Sequence, residues 1–183
     1  LATSRPFGPL QRIRAEAGFH GFDGASGDNW RLDPARGGGA MYDMGVYALN
    51  AARYTTGAEP IAVTAMSSVQ RPAIFRGVDE TMRFRLEFPE GVTADCATSF
   101  GENMNRLRAD CAEGWYELSP FQAYEGVRGE ASDGRRFDAV IGATPAQQAR
   151  QMDADARAIL ERRAPRVPGE EGWRDMVALD AIF

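Results

Sequence analysis

The 183 residues make one domain's length of chain, 44% hydrophobic and 26% charged, the composition of an ordinary globular protein with a real core. A net charge of −5 argues against broad nucleic-acid or anionic-membrane surfaces, and no run of about 18 apolar residues is present to span a bilayer. All 21 basic residues are arginine, so lysine chemistry cannot come from this polypeptide.

In chain order, the first signal is alternation. Ile13, Ala15, Ala17 and Phe19 alternate with Arg12, Arg14, Glu16 and Gly18, which predicts a strand with one apolar and one polar face. A helix is predicted over residues 39–56, closed by Gly57 just past its end. Residues 61–69 read as a strand. Met82, Phe84, Leu86 and Phe88 alternate with Thr81, Arg83, Arg85 and Glu87, and Val92, Ala94, Cys96, Thr98 and Phe100 continue the pattern after a Pro89-Glu90-Gly91 hairpin turn. Leu107, Ala109 and Cys111 alternate with Arg106, Arg108 and Asp110. Shorter strands are predicted over 115–118, 123–128 and 135–140. Thr144-Pro145 opens a second helix, with Thr144 as N-cap and Pro145 at the first helical position, running through Met152, Ile159 and Leu160 to about Arg163. A third starts near Pro168, where Glu170 and Glu171 suit the helix dipole, and runs to the chain's end. The expected fold is α+β: an open, mainly antiparallel sheet with helices packed on its apolar face.

The two cysteines, Cys96 and Cys111, are too few for a disulfide framework. They fall on apolar faces of strands expected to form a hairpin, and buried thiols are favoured over a disulfide. His20, the lone histidine, lacks neighbours for a metal site, and no metal is expected. Trp115, Tyr116 and Phe121 suit a sugar-stacking cleft, although core packing explains them more simply.

The stretch richest in chemistry runs from Asn29-Trp30-Arg31-Leu32-Asp33 through Gly37-Gly38-Gly39 to Asp43, Tyr47, Asn50 and Tyr54. The glycines permit close backbone approach and lead into a helix N-terminus, whose free N–H groups favour oxyanions. Asp43 and Tyr47, four residues apart, are expected on one helical face. By pattern alone, an ordinary loop followed by a capping pair accounts for the same residues.

The run GGGAMYDMGVYALNAARYTTGAEPIAVTA resembles the glucose–fructose oxidoreductase / inositol dehydrogenase / MocA family, most closely its glucose–fructose oxidoreductase branch. That family carries Trp-Arg, then Gly-Gly-Gly, then Asp-x-Gly-x-His or Asp-x-Gly-x-Tyr at about this spacing. Pro168-Gly169-Glu170-Glu171-Gly172 resembles the same branch before its last helix. The resemblance implies a sugar or polyol oxidoreductase that uses NAD or NADP. Residues 1–183 would be its substrate-binding and oligomerisation domain, and the dinucleotide would bind mainly to an N-terminal Rossmann domain absent from this chain. The chain starts without methionine and ends inside a helical pattern, and the glycines at 18, 21, 24 and 27 do not make the dinucleotide fingerprint. By the same resemblance Tyr47 is the proton donor or acceptor and Asp43 orients it. Trp30 and Arg31 approach the cofactor, and Gly38, Gly39 and Asn50 lie on the substrate side. The family's catalytic lysine would belong to the absent domain. A phenol of ordinary pKa, about 10, needs such a cation, or the nicotinamide's own charge, to act near neutral pH. The expected assembly is a homodimer or homotetramer through the polar face of the sheet. The expected compartment is the cytoplasm, with the periplasm open because residues are missing upstream. A non-catalytic sugar- or nucleotide-sensing regulator, an NAD-dependent glycoside hydrolase and a purely structural module are the rival readings.

Overall fold

The computed structural model describes residues 6–24, 28–140, 142 and 145–183. Alternating side chains make eight strands: β1 (Leu10–Gly18), β2 (Ala62–Ser68), β3 (Thr81–Glu87), β4 (Thr93–Ser99), β5 (Met104–Cys111), β6 (Gly114–Leu118), β7 (Gly126–Ala131) and β8 (Arg136–Val140). They form one open sheet in the order β2-β3-β4-β1-β5-β6-β7-β8. Every neighbouring pair is antiparallel except β1 and β4, which run parallel, with Ala15 opposite Cys96. The mainly antiparallel α+β architecture is the expected one.

One pairing differs from expectation. The strands carrying Cys96 and Cys111 are not a hairpin, because β1 lies between β4 and β5. Local turn signals report sequence neighbours, whereas β1 reaches its partners from far upstream. Burial pushes the Cys96 thiol well above its ordinary pKa, so it stays protonated in the core.

The apolar face of the sheet carries Ile13, Ala15, Ala17, Met82, Phe84, Leu86, Ala94 and Cys96, all buried. Helices α1 (Val46–Thr56) and α3 (Gly169–Ile182) cover it through Ala48, Leu49, Ala52, Ala178, Leu179 and Ile182. Gly57 closes α1 in the left-handed conformation, with its N–H on the Arg53 carbonyl at 2.9 Å. Helix α2 (Ala146–Leu160) departs from the expected packing. Met152, Ile159 and Leu160 stay exposed, and Ala158 is its buried residue. The segment is alanine-rich, so propensity makes a helix with only a thin stripe to bury. Pro145 occupies the N-cap position instead of the first helical position, and the expected cap, Thr144, lies outside the described residues. β7 starts three residues later than expected because the Asn105 side chain holds the preceding loop. Its Oδ1 accepts from the Phe121 and Gln122 N–H groups at 3.0 and 3.1 Å.

On the opposite face the arginines and acids pair across strands. Asp95 accepts from Arg85 and Arg12, and Glu117 from Arg106 and Arg108. Arg108 also lies 4.2 Å over the Trp115 ring. Tyr116 is buried against Phe7 with ring centroids 4.9 Å apart, and Phe121 packs against the main core.

The seam between α1 and α3 is an ionic knot. Arg53, with a side chain only 3% exposed, donates to Glu59 twice at 2.7 Å, to Glu171 at 3.2 Å and to Asp175. Its hydrogen bonds hold the Glu59 carboxyl below the ordinary carboxylate value. Arg53→Met is expected to destabilise the fold by about 2 kcal/mol at pH 7. That is less than the roughly 3–5 kcal/mol typical of a broken buried pair, because Glu59 is half exposed and screened. A depressed carboxyl contributes stability that is present above its ordinary value of 4.5 and lost as pH falls through the lowered one. Denaturation at pH 7 and pH 3 checks this: the deficit of the variant should shrink at pH 3, and an equal deficit at both would contradict the assignment.

Candidate active site

The segment leading to the site folds on its own polar groups. Asn29 accepts from the Arg31 N–H at 3.1 Å and starts a 3-10 turn, Trp30–Leu32. Asp33 accepts from the Ala35 N–H at 2.9 Å and starts a second, Pro34–Arg36. The chain then doubles back. Gly38 donates to the Asp33 carbonyl and Gly39 to the Arg31 carbonyl, both at 2.9 Å. A Cβ on Gly38 would lie 2.7 Å from the Arg31 carbonyl oxygen, so only glycine fits there without moving backbone. Gly39 sits at φ 113°, and its Cβ would lie 2.1 Å from Oδ1 of Asp79.

The helix that follows is not uniform. Met41–Gly45 is a π-helical turn that passes directly into α1. Single π turns of this kind recur at functional sites. Here the turn carries Asp43, and Tyr47 follows on the first turn of α1. Met41 points into the core, fully buried. Gly45 lies against β4, where a Cβ would meet Cγ2 of Thr98 at 3.0 Å.

Asp43 is 13% exposed, and Oδ2 accepts from Nε of Arg31 at 2.7 Å. The same guanidinium stacks 4.5 Å over the Trp30 ring. The structure thus brings Trp30, Arg31 and Asp43 together, with Arg31 still about a third exposed. Tyr47, on the first turn of α1, is 45% exposed. Asn50 is drawn toward α3, where Nδ2 donates to Asp175 at 2.9 Å. Tyr54 points to solvent. His20 pairs with Asp23 at 3.0 Å, and among the described residues no group of three or more His, Cys, Asp or Glu could hold a metal.

A cluster just before β3 carries no signature in the residue pattern. Asp79 is buried and accepts from the Met41 N–H at 2.8 Å. Glu80 is buried too, and accepts from the Gln70 N–H at 2.6 Å and from the Arg71 N–H and Nε at 2.8 and 2.7 Å. Burial raises the Glu80 carboxyl, but the Arg71 contacts outweigh it and hold the group below its usual range. Arg71 reaches on to the carbonyls of Gly21 and Phe100. It thereby clips loops around a second apolar cluster of Ala40, Phe75, Val78 and Phe100 beneath the glycine segment.

The arrangement resembles known proteins. D-xylose 1-dehydrogenase (NADP(+)) 2 of Haloferax volcanii is 33% identical over 181 residues, which is 96% of this chain and 54% of that protein. D-xylose 1-dehydrogenase [NADP(+)] of Haloarcula marismortui is 29% identical over 170 residues, 85% of this chain and 44% of that one. The crystal structure of aldose-aldose oxidoreductase from Caulobacter crescentus, complexed with glycerol, superposes with a TM-score of 0.88 at 35% identity, covering all of this chain and 55% of that one. The chain spans about half the length of the curated relatives it matches. The family model of the GFO/IDH/MocA C-terminal domain matches residues 1–117, and the chain belongs to the Gfo/Idh/MocA family as a C-terminal domain.

Proposed function

We propose that this chain is the substrate-side domain of an NADP-dependent aldose dehydrogenase, with Tyr47 exchanging the proton of the oxidised hydroxyl. The carrying observation is the exposed Tyr47 phenol at the end of a glycine segment whose Arg31–Asp43 pair is fixed beside Trp30. Aldoses and NADP are named for two relatives, the D-xylose dehydrogenases, and they enter here as the substrate and cofactor class that fits.

The chain's own residues divide the work. Trp30 is 38% exposed, so it presents part of a flat ring suited to the cationic nicotinamide end of a dinucleotide, while the guanidinium stacked on it is neutralised by Asp43. Most of the cofactor would be held by a nucleotide-binding domain outside this chain. When bound, the dinucleotide takes or returns the hydride. Tyr47 takes the proton from the sugar hydroxyl as the C–H bond breaks, and gives one to the carbonyl oxygen in reverse. A cation lowers the cost of the phenolate, and with no lysine here it comes from the other domain. Asp43 sets Arg31 and the site's polar geometry instead of acting as the base. Gly38 and Gly39 let the loop close on the Arg31 and Asp33 carbonyls and on Asp79, which sets where the helix starts, and Asn50, anchored by Asp175, offers Oδ1 to a substrate hydroxyl. The polar sheet face serves assembly into a homodimer or homotetramer.

In the full-length enzyme, Tyr47→Phe is expected to lower kcat by about 10² to 10⁴-fold with cofactor affinity little changed. A fall of less than about threefold with the fold intact would reassign Tyr47 to packing. Asp43→Asn is expected to weaken substrate binding and turnover together, because it releases Arg31. Net oxidation of an aldose with NADP reduction separates this reading from a sensor, which binds sugar without turnover, and from a hydrolase.

Isolated residues 1–183 are expected to bind NADP⁺ no tighter than the high micromolar range by titration calorimetry. A low-micromolar constant would sink the division of labour between domains. Light scattering on the full-length protein should give a dimer or tetramer, and a strict monomer at high concentration would remove the assembly role of the polar face.

A further inference from the structure

We propose that Asp79 is the positioning residue of this site, a helix cap delivered from across the fold that fixes the segment carrying Asp43 and Tyr47. The inference rests on the functional reading above.

The helix that begins at Met41 has no local side-chain cap, since Ala40 stands at its start. A helix N-terminus leaves several N–H groups without intrahelical partners, and burying them bare is costly. Asp79, 38 residues later in the chain, fills the gap. Its backbone carbonyl accepts from the Ala40 N–H at 3.0 Å and its Oδ2 accepts from the Met41 N–H at 2.8 Å. The other carboxylate oxygen occupies the place of a side chain at position 39: a Cβ there would come within 2.1 Å of Oδ1. Gly39 and Asp79 are therefore one fitted pair, with the glycine bare because the carboxylate fills its space. From the other side, Thr98 Oγ1 donates to the Ala40 carbonyl at 3.2 Å. The turn before Asp43 is thus gripped by both β4 and Asp79.

Asp79 also differs from the other buried charges. Arg53 sits among three carboxylates, and Glu80 is matched by Arg71. Asp79 is 7% exposed, and among the described residues no cation pairs with it. Its partners are backbone N–H groups at the positive end of a helix. Burial pushes its carboxyl above the ordinary value, opposed by the N–H groups of Met41 and Ala40. A lone buried carboxylate is a poor choice for stability alone. It does suit a point where one helix turn must be held in a single position.

The test uses the full-length enzyme, with aldose and NADP⁺, and compares Asp79→Ala with Asp79→Asn. Asparagine keeps an oxygen for the Met41 N–H and loses only the charge, whereas alanine removes the acceptor. Asp79→Ala is expected to lower kcat about 10- to 100-fold, the effect of small misplacement in a site. The KM for NADP⁺ should stay within about threefold. Amide hydrogen exchange over residues 41–45 should quicken. Asp79→Asn should restore kcat to within about threefold of the parent and restore the slow exchange. A folded Asp79→Ala enzyme with parental kcat and parental exchange overturns the proposal, and so does an Asp79→Asn enzyme as damaged as the alanine variant. If Asp79→Ala does not fold, Asp79→Ser, whose shorter side chain cannot reach Met41, takes its place with the same expected loss. A parent enzyme that oxidises no aldose refutes the dehydrogenase reading on its own, and the exchange measurement still decides whether Asp79 holds the helix.

Discussion

The bare backbone at Gly45 lets the start of the helix lie close against the sheet, with the Met41 side chain and Thr98 filling the space beside it. With no side chain there, the π turn and the first turn of α1 settle against Thr98 of β4. Met41, Ala48, Leu49 and Ala52 then enter the core beside Ile13, Ala15 and Cys96. The same close approach brings the Cys96 thiol within 3.9 Å of the Ala48 carbonyl. Once one side of the helix is committed to the sheet, the opposite side must carry its polar residues outward. Tyr47 is exposed for that reason, and Asp43 meets Arg31 from the neighbouring loop. A side chain at position 45 would meet the Met41 thioether and the Thr98 methyl group, the two neighbours that fill the space beside the bare backbone.

Charge plays two different parts in the molecule. On the polar face, Asp95 and Glu117 each gather two arginines in a setting open to water. Such pairs contribute little individually, and their value lies in fixing side-chain positions across neighbouring strands. Arg53 is a different case. It is enclosed, and its three carboxylates come from the loop after α1 and from α3, so it ties the last helix to α1. Asn50, one turn earlier, joins the same seam through Asp175. The seam thus links the candidate site to the carboxyl-terminal helix by hydrogen bonds, and Phe183 adds a second link by stacking on Tyr42 at 5.1 Å.

Much of the fold was legible from period-two alternation, because each strand of the sheet's centre buries one face. Ile13, Phe84, Leu86 and Ala94 all point where the pattern put them. Pairing was less legible. Alternation says which face is buried and nothing about which strand lies alongside, so the place of β1 between β4 and β5 escaped it. Helix α2 misled in the opposite way: alanine makes a helix regardless of whether anything covers it. At the site, Trp30, Arg31 and Asp43 were singled out together and stand together. The π turn left no mark in the residue spacing, since it differs from an α turn by one backbone hydrogen-bond partner. Asp79 and Glu80 resemble ordinary surface acids in sequence. Only the three-dimensional neighbourhood of Met41 and Arg71 shows otherwise.

The central place of β1 has a consequence for how the chain acquires its structure. β1 is the first strand in sequence, yet both its partners lie roughly 80 to 100 residues downstream, in β4 and β5. During synthesis one edge of β1 stays unsatisfied until β4 has emerged and the other until β5 has. Such long-range closure gives the domain a high contact order and slow folding relative to a meander of the same size. A nascent strand with both edges open is also a target for mispairing. The arginines and glutamate alternating along β1, at positions 12, 14 and 16, keep that waiting strand from reading as an uncharged apolar segment, which guards against strand mispairing before the sheet is complete.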